Sequence, residues 1–278
     1  MKRFIAILML VVGVVAAVLV PFAEMNRGRV PSGIDAALFF PARYPDGDWS
    51  PNELRFVDVY FAAPDGTGLH GWFCPAEDPE LAILFMHGNA GNVTTRATLL
   101  RHLQSKAQAS VFIFDYRGFG KSTGVPGIEG VIQDSRAARA KLCELASVEN
   151  PEIVLMGESL GGAIAVQLAA ESPPRALVLQ STFSSLRDLA EIHYRQYASM
   201  VPESTLNSVA QIDIYDGLLF QSHGDRDWTI PVALGQKLFA AARGKKIFAI
   251  IPGADHHNWL TPDYLSRLDG FLAGLQND

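Results

Sequence analysis

The chain has 278 residues, 49% of them apolar and 19% charged, with a formal net charge of −6. That is enough apolar mass for one large core, and the acidic balance excludes the basic footprint that nucleic-acid binding requires. Two cysteines, Cys74 and Cys143, are too few for a disulfide framework and lack zinc spacing. Both read as core thiols, a single bridge between them being the alternative.

The N-terminus opens with Met1, Lys2 and Arg3, followed by an uncharged apolar run over residues 4–20 that Pro21, Phe22 and Ala23 extend. About 20 such residues span a hydrocarbon core of about 30 Å, so residues 1–23 read as an uncleaved transmembrane signal anchor. A cleaved signal peptide, with a secreted product, is the alternative, although Pro21-Phe22-Ala23 fits a small-x-small cleavage site poorly. Lys2 and Arg3 favour a cytoplasmic N-terminus with the globular part on the non-cytoplasmic side, a preference that Arg27 and Arg29 weaken. Residues 24–50 are rich in Pro, Gly and Asp and read as a linker and N-terminal extension. Its Leu38-Phe39-Phe40 cluster is expected to pack an apolar patch on the domain that follows.

Over residues 51–278 strands alternate with helices. Residues 55–62 alternate apolar and polar, turn at Pro64-Asp65-Gly66 and return through residues 69–73, which predicts a β-hairpin. Continuous apolar runs at 81–86 and 110–114 predict buried strands, with helical spacing at 95–104 between them. A helix at 129–145 precedes a strand at 153–156, and a small-residue helix follows at 162–170. Further strands fall at 176–179, 218–222 and 247–251, with helices at 232–242 and 262–275. This is an α/β pattern: an antiparallel start, then a mostly parallel, doubly wound sheet with helices on both faces. Residues 183–216 exceed an ordinary strand-to-helix connection. They read as a small cap over the sheet's carboxyl edge, with a helical start at 186–197 and Phe183, Tyr194 and Tyr197 as its core.

Ligands of open α/β sheets bind beyond the carboxyl ends of the strands, so the residues just after each strand form the candidate site. After 153–156 comes Gly157-Glu158-Ser159-Leu160-Gly161, a serine on a tight strand-to-helix corner of the kind called a nucleophile elbow. Alone, such a pentapeptide recurs by chance in roughly one chain in ten of this length at ordinary glycine and serine usage. Its context is more specific. His87-Gly88-Asn89-Ala90-Gly91-Asn92 follows the first parallel strand, and Asp115-Tyr116-Arg117-Gly118-Phe119-Gly120-Lys121-Ser122 follows the next. Later strand ends carry His223-Gly224-Asp225-Arg226-Asp227 and Asp255-His256-His257-Asn258.

Nucleophile, acid and base thus appear in the order Ser, Asp, His, which the elbow type of serine hydrolase requires. An imidazole activates the serine hydroxyl and a carboxylate fixes the imidazole's tautomer. The oxyanion needs backbone donors, each worth roughly 3–4 kcal/mol. The N–H of Leu160, at a helix N-terminus, and that of Asn89, in the glycine-flanked loop, are placed to supply them.

These separated motifs, with His223-Gly224-x-x-Asp227-x-x-x-Pro231, resemble the α/β-hydrolase superfamily, and within it the membrane-anchored α/β-hydrolase-domain proteins with a single N-terminal anchor and a reduced cap. The resemblance covers about residue 38 to the C-terminus. It implies an eight-stranded α/β-hydrolase fold, no cofactor, and hydrolysis of esters, thioesters or sometimes amides. In that pattern Ser159 is the nucleophile, Asp227 the acid and His256 the base. Asp225 is the alternative acid and His257 the alternative base; the His-Gly-x-x-Asp and Gly-Ala-x-His spacings select Asp227 and His256.

Other candidates carry less. His87 and His223 belong to His-Gly turns and read as structural; His193 falls in the cap; His70 and His102 show no partner pattern. Asp115 and Arg117 are expected to brace the oxyanion loop together. No residue set has metal-ligand spacing, and His256 and His257 cannot both turn inward from one extended loop. The reading is a serine hydrolase acting on a small-molecule or lipid-like acyl ester beside a membrane. A peptidase for small peptides and a catalytically silent, membrane-tethered binding protein are the alternatives.

Overall fold

The computed structural model describes residues 33–276. The strands that the sequence marks as continuous apolar runs are also the most buried, because both of their faces must be covered. In chain order the strands of the main sheet are β1 (Val57–Ala62), β2 (Gly68–Cys74), β3 (Leu81–Met86), β4 (Ala109–Asp115), β5 (Ile153–Glu158), β6 (Ala176–Gln180), β7 (Leu218–Gly224) and β8 (Lys246–Ile251). They form one eight-stranded sheet in the order β1-β2-β4-β3-β5-β6-β7-β8. The β1–β2 and β2–β4 pairs are antiparallel and the others parallel. Every residue of β3, β4, β5 and β6 is buried, whereas edge strand β1 exposes Val57 and Tyr60.

The helices are α1 (Ile34–Leu38), α2 (Ala97–Ser105), α3 (Ile128–Ala146), α4 (Leu160–Glu171), α5 (Leu186–His193), α6 (Ser208–Ile212), α7 (Val232–Ala241) and α8 (Pro262–Gln276). The strand period of two divides the core between the two faces of the sheet. Leu84 and Met86 of β3 join Val131, Ile164 and Leu238 of α3, α4 and α7. Ile83 and Phe85 join Leu99, Leu103, Leu268 and Leu272 of α2 and α8.

The elbow demands glycine for a steric reason. A Cβ on Gly161 would stand 2.1 Å from the Met86 carbonyl oxygen, and one on Gly157 would stand 2.4 Å from that of Gly161. Helix α4 therefore starts in backbone contact with β3.

Two segments differ from expectation. The predicted linker, 24–50, is from residue 33 onward built into the domain. Phe40–Pro41 runs parallel to Ala90–Gly91, and an Asp35 carboxylate oxygen accepts the Ile128 N–H at 3.0 Å at the start of α3. Of the Leu38-Phe39-Phe40 cluster, Phe39 is buried and Phe40 exposed. Its polar composition hid this role, because the segment is held by backbone and cap hydrogen bonds rather than by a periodic apolar face.

In the predicted cap, the helix starting at Leu186 is capped by the Ser185 hydroxyl and stops at His193 rather than reaching Tyr197; a 3₁₀ stretch, Arg195–Met200, follows. Val201, Leu206, Ile212 and Tyr215 are buried in the same core as α3 and α4, so the second half of the insertion covers the sheet's face rather than its edge. Phe183 is buried, but Tyr194 and Tyr197 are each more than half exposed and form no cap core. The segment is too short to enclose them. Among the described residues no helix is long and apolar enough to cross a membrane. The expected anchor, residues 1–23, lies outside the described residues.

Candidate active site

Ser159 stands between β5 and α4, as the residue before the helix, with φ 55° and ψ −119°, a sparsely populated conformation costing a non-glycine residue about 1–3 kcal/mol. Its backbone N–H donates to the Gln180 carbonyl at the end of β6 at 2.8 Å, which helps hold the corner. His256, from the loop after β8, brings Nε2 to 3.2 Å from Ser159 Oγ and Nδ1 to 2.7 Å from Asp227 Oδ2. An ionised carboxylate only accepts, so Nδ1 carries the proton and Nε2 presents a lone pair to the serine hydroxyl.

All three side chains are nearly excluded from solvent. The other oxygen of Asp227 accepts the Ile230 N–H at 2.7 Å. Burial opposes charge on Asp227, but the hydrogen bond from His256, its charge and the Ile230 N–H outweigh it and hold the carboxyl below its ordinary value.

The two alternatives are placed elsewhere. Asp225 accepts the Gly253 N–H at 2.7 Å and ties the β7 and β8 loops together. His257 is exposed, with its ring edge-on to His256 at 5.4 Å.

The loop after β3 lies against the serine: a Cβ on Gly88 would sit 3.5 Å from Ser159 Cβ. Asn89 commits its side chain to the Leu38 carbonyl at 2.6 Å and its own carbonyl to the Phe40 N–H at 2.8 Å, so its peptide unit is fixed by the N-terminal segment. Leu160, first residue of α4, has an N–H with no acceptor inside the helix. Asn92 then turns the loop, accepting from the Thr94 N–H and hydroxyl and donating to the Asp46 carbonyl at 2.8 Å.

The expected brace of Asp115 with Arg117 is two separate braces. Asp115 Oδ1 accepts the Val93 N–H at 2.9 Å and so holds the end of the loop after β3. Arg117 instead forks onto Asp134 of α3 and reaches Asp65. Asp115 is the last residue of β4, whereas Arg117 lies beyond the strand in the turn that follows, where the strand's alternation no longer sets its direction.

The remaining histidines all have partners. His87 is fully buried, donates from Nδ1 to the Gly88 carbonyl at 2.7 Å and packs on Tyr116; burial pushes its pKa down to about 4. His223 donates to the Ile230 carbonyl at 2.7 Å beside Asp227, and burial lowers its pKa. His193 donates to the Thr229 carbonyl at 2.8 Å, joining the cap to the loop that carries Asp227. His70 lies fully buried between Asp58 at 2.5 Å and Asp115 at 3.3 Å, and His102 pairs with Asp269 at 2.7 Å. Cys74 is buried, with its thiol pushed up to about 12 by burial; Cys143 is half-buried, and both are free.

One pair escaped sequence reasoning: Arg96 grips Glu158, the residue before the serine, with Nε–Oε2 at 2.7 Å and Nη2–Oε1 at 2.9 Å. The signal was a charged residue closing an otherwise apolar buried strand, which needs a partner.

The family pattern described as "alpha/beta hydrolase fold" matches residues 82–213. The chain is 30% identical over 234 residues to the α/β-hydrolase domain-containing protein WAV2 of Arabidopsis thaliana, covering 75% of each chain. The chain belongs to the α/β-hydrolase family. It is also 34% identical over 224 residues to the uncharacterized protein YfhR of Escherichia coli K12, covering 77% of this α/β-hydrolase and 78% of that protein. Among solved structures, the Pyrococcus furiosus esterase Pf2001 superimposes with a TM-score of 0.69 at 20% identity, covering 86% of this chain and 97% of that one. At that identity the likeness speaks for the fold alone.

Proposed function

We propose that this α/β-hydrolase is a serine hydrolase that cleaves carboxylic esters or thioesters through an acyl-enzyme. The observation that carries the reading is the unbroken hydrogen-bonded chain Ser159–His256–Asp227, with His256 within 3.2 Å of the serine oxygen. In the acylation step Ser159 Oγ attacks the substrate carbonyl while its proton passes to His256 Nε2. The imidazolium that forms is stabilised by Asp227, which its surroundings keep ionised. Negative charge moves to the carbonyl oxygen, toward the N–H groups of Asn89 and Leu160. Collapse breaks the bond to the alcohol or thiol, which leaves with the proton from His256. Water, deprotonated by the same imidazole, then attacks the acyl-enzyme, releases the acid and restores Ser159.

In the same reading, residues 1–23 anchor the domain to a membrane on the non-cytoplasmic side, supported by the length and apolarity of residues 4–20. The test is turnover by the purified full chain of an aryl ester, an acyl thioester and an aminoacyl amide, each against Ser159→Ala. Ester or thioester turnover lost in the variant supports the proposal. Amide turnover alone would make the protein a peptidase, and turnover of none of the three would make it a binding protein.

A further inference from the structure

Eleven large apolar side chains are exposed on the described surface, and six of them sit on three segments that adjoin or hydrogen-bond to the loops carrying Asn89 and Asp227. Phe40, 57% exposed, lies on the strand pair that fixes the oxyanion loop, its N–H bonded to the Asn89 carbonyl. Trp228, 83% exposed, directly follows Asp227. Ile192, Tyr194, Tyr197 and Met200 line the outer side of the cap, where residues 191–200 are exposed apart from Ala198. The cap and the Trp228 loop are one unit, because His193 donates to the carbonyl of Thr229. Exposed apolar side chains concentrated on linked segments need an occupant.

The way the chain enters the fold identifies that occupant. The described chain begins at Gly33 and runs through α1 to Leu38, whose carbonyl receives the Asn89 side chain. The polypeptide thus joins the domain at the rim of the same site. Only residues 21–32 separate that entry from the apolar run at 4–20, and twelve residues reach at most about 40 Å when fully extended. A domain of this size is itself roughly 45–50 Å across, so a tether of that length holds the entry face, rather than the opposite one, toward the layer in which the apolar run sits. Trp and Tyr, amphipathic rings that settle at the headgroup level of a bilayer, supply three of the six exposed side chains.

We infer that the rim formed by Phe40, Trp228 and the outer side of residues 192–200 docks on the phospholipid interface, so that the site opens onto the bilayer and receives acyl esters from it. This rests on the anchoring part of the functional reading and deepens it by naming the surface that meets the lipid.

The test uses the full chain in phosphatidylcholine vesicles. Of the four tryptophans, Trp72 and Trp259 are buried, Trp49 is half-buried and Trp228 is exposed, so subtraction of Trp228→Phe isolates one emission. A nitroxide carried near the headgroup boundary should quench more than half of that emission, and one deep in the acyl chain less. The variant Tyr194→Ser/Tyr197→Ser/Met200→Ser should lose about tenfold in turnover of a long-chain ester embedded in the vesicle and keep its turnover of a water-soluble short ester.

Unquenched Trp228 emission from a chain that stays with the vesicles through an alkaline wash overturns the rim while leaving the anchor standing. Release by the wash overturns the anchor, and quenching on added vesicles then decides the rim by itself. Equal loss on both esters, or Trp228 shielded in a two-copy species that vesicles do not dissociate, also overturns it.

Discussion

Arg96 holds Glu158 through two parallel hydrogen bonds at 2.7 and 2.9 Å, one residue from the serine that the site is built around. The pair links the segment that follows the oxyanion loop to the end of the elbow strand, and both side chains are largely buried, at 18% and 9% exposure. Removing one partner strands a charge. Arg96→Met should cost about 3 kcal/mol of stability, near the lower bound for a broken buried pair. Arg96→Met/Glu158→Gln should recover most of that loss, because no unpaired charge remains. Urea unfolding checks both. A neutral Arg96→Met would show that the pair does not hold the corner.

Asp227 and His256 are distinguished from their neighbours by geometry, and kinetics should follow. Asp227→Asn should lower kcat by about 10⁴, since the amide leaves His256 in the wrong tautomer for accepting the serine proton. His256→Ala should cost at least about 10³-fold, and His257→Ala, whose ring is exposed, less than about threefold. Ester turnover across the three variants is the measurement, with circular dichroism to confirm the fold.

His87 makes stability depend on pH. Its ordinary value of 6.5 falls to about 4 in the fold because burial disfavours the charged ring. The unfolded chain therefore binds the extra proton first as pH drops. The contribution is fully present above about pH 6.5 and is lost progressively down to about pH 4, a total of roughly 3 kcal/mol. His87→Gln should flatten the fall in Tm over that window relative to the parent. An unchanged slope contradicts the assignment.

Two glycines should respond in opposite directions to the same substitution. Gly161→Ala drives a methyl into the Met86 carbonyl, which as backbone yields poorly. A loss of about 3 kcal/mol is expected, with a displaced elbow and lower kcat. Gly274 lies in α8, where an added methyl would have nothing within 4 Å and φ is not positive. There Gly274→Ala should stabilise by about 0.5–1 kcal/mol through the unfolded chain. Thermal unfolding of the two variants side by side gives the comparison.

How far the sequence spoke for the structure depended on the range of each interaction. The parallel strands were legible because each is buried on both faces, which writes a continuous apolar run such as Leu81–Met86 into the chain. That Ser159, Asp227 and His256 meet at one end of the sheet was legible because chain order and strand ends are local signals. His70 was not. Its partners Asp58 and Asp115 lie 12 and 45 residues away on other strands, and only the sheet's register brings them together. Arg96 and Glu158, 62 residues apart, were hidden for the same reason.

The N-terminal segment misled in the opposite way. Pro-, Gly- and Asp-rich composition reads as a linker, yet Asp35, Leu38 and Phe40 are fixed by single hydrogen bonds that leave no periodic trace. The cap tyrosines misled because aromatic identity alone does not say which residues of a short insertion are covered.

Whether Ser159 is a nucleophile activated by His256 is decided by intact mass after brief exposure of the full chain to an alkyl fluorophosphonate. The serine oxygen would displace fluoride and retain the phosphonyl group. One adduct per chain is expected, on the peptide containing Ser159. It should be absent in Ser159→Ala and at least about 10³-fold slower to form in His256→Ala. An adduct forming at equal rate in Ser159→Ala, or none at all in the parent protein, would contradict the assignment.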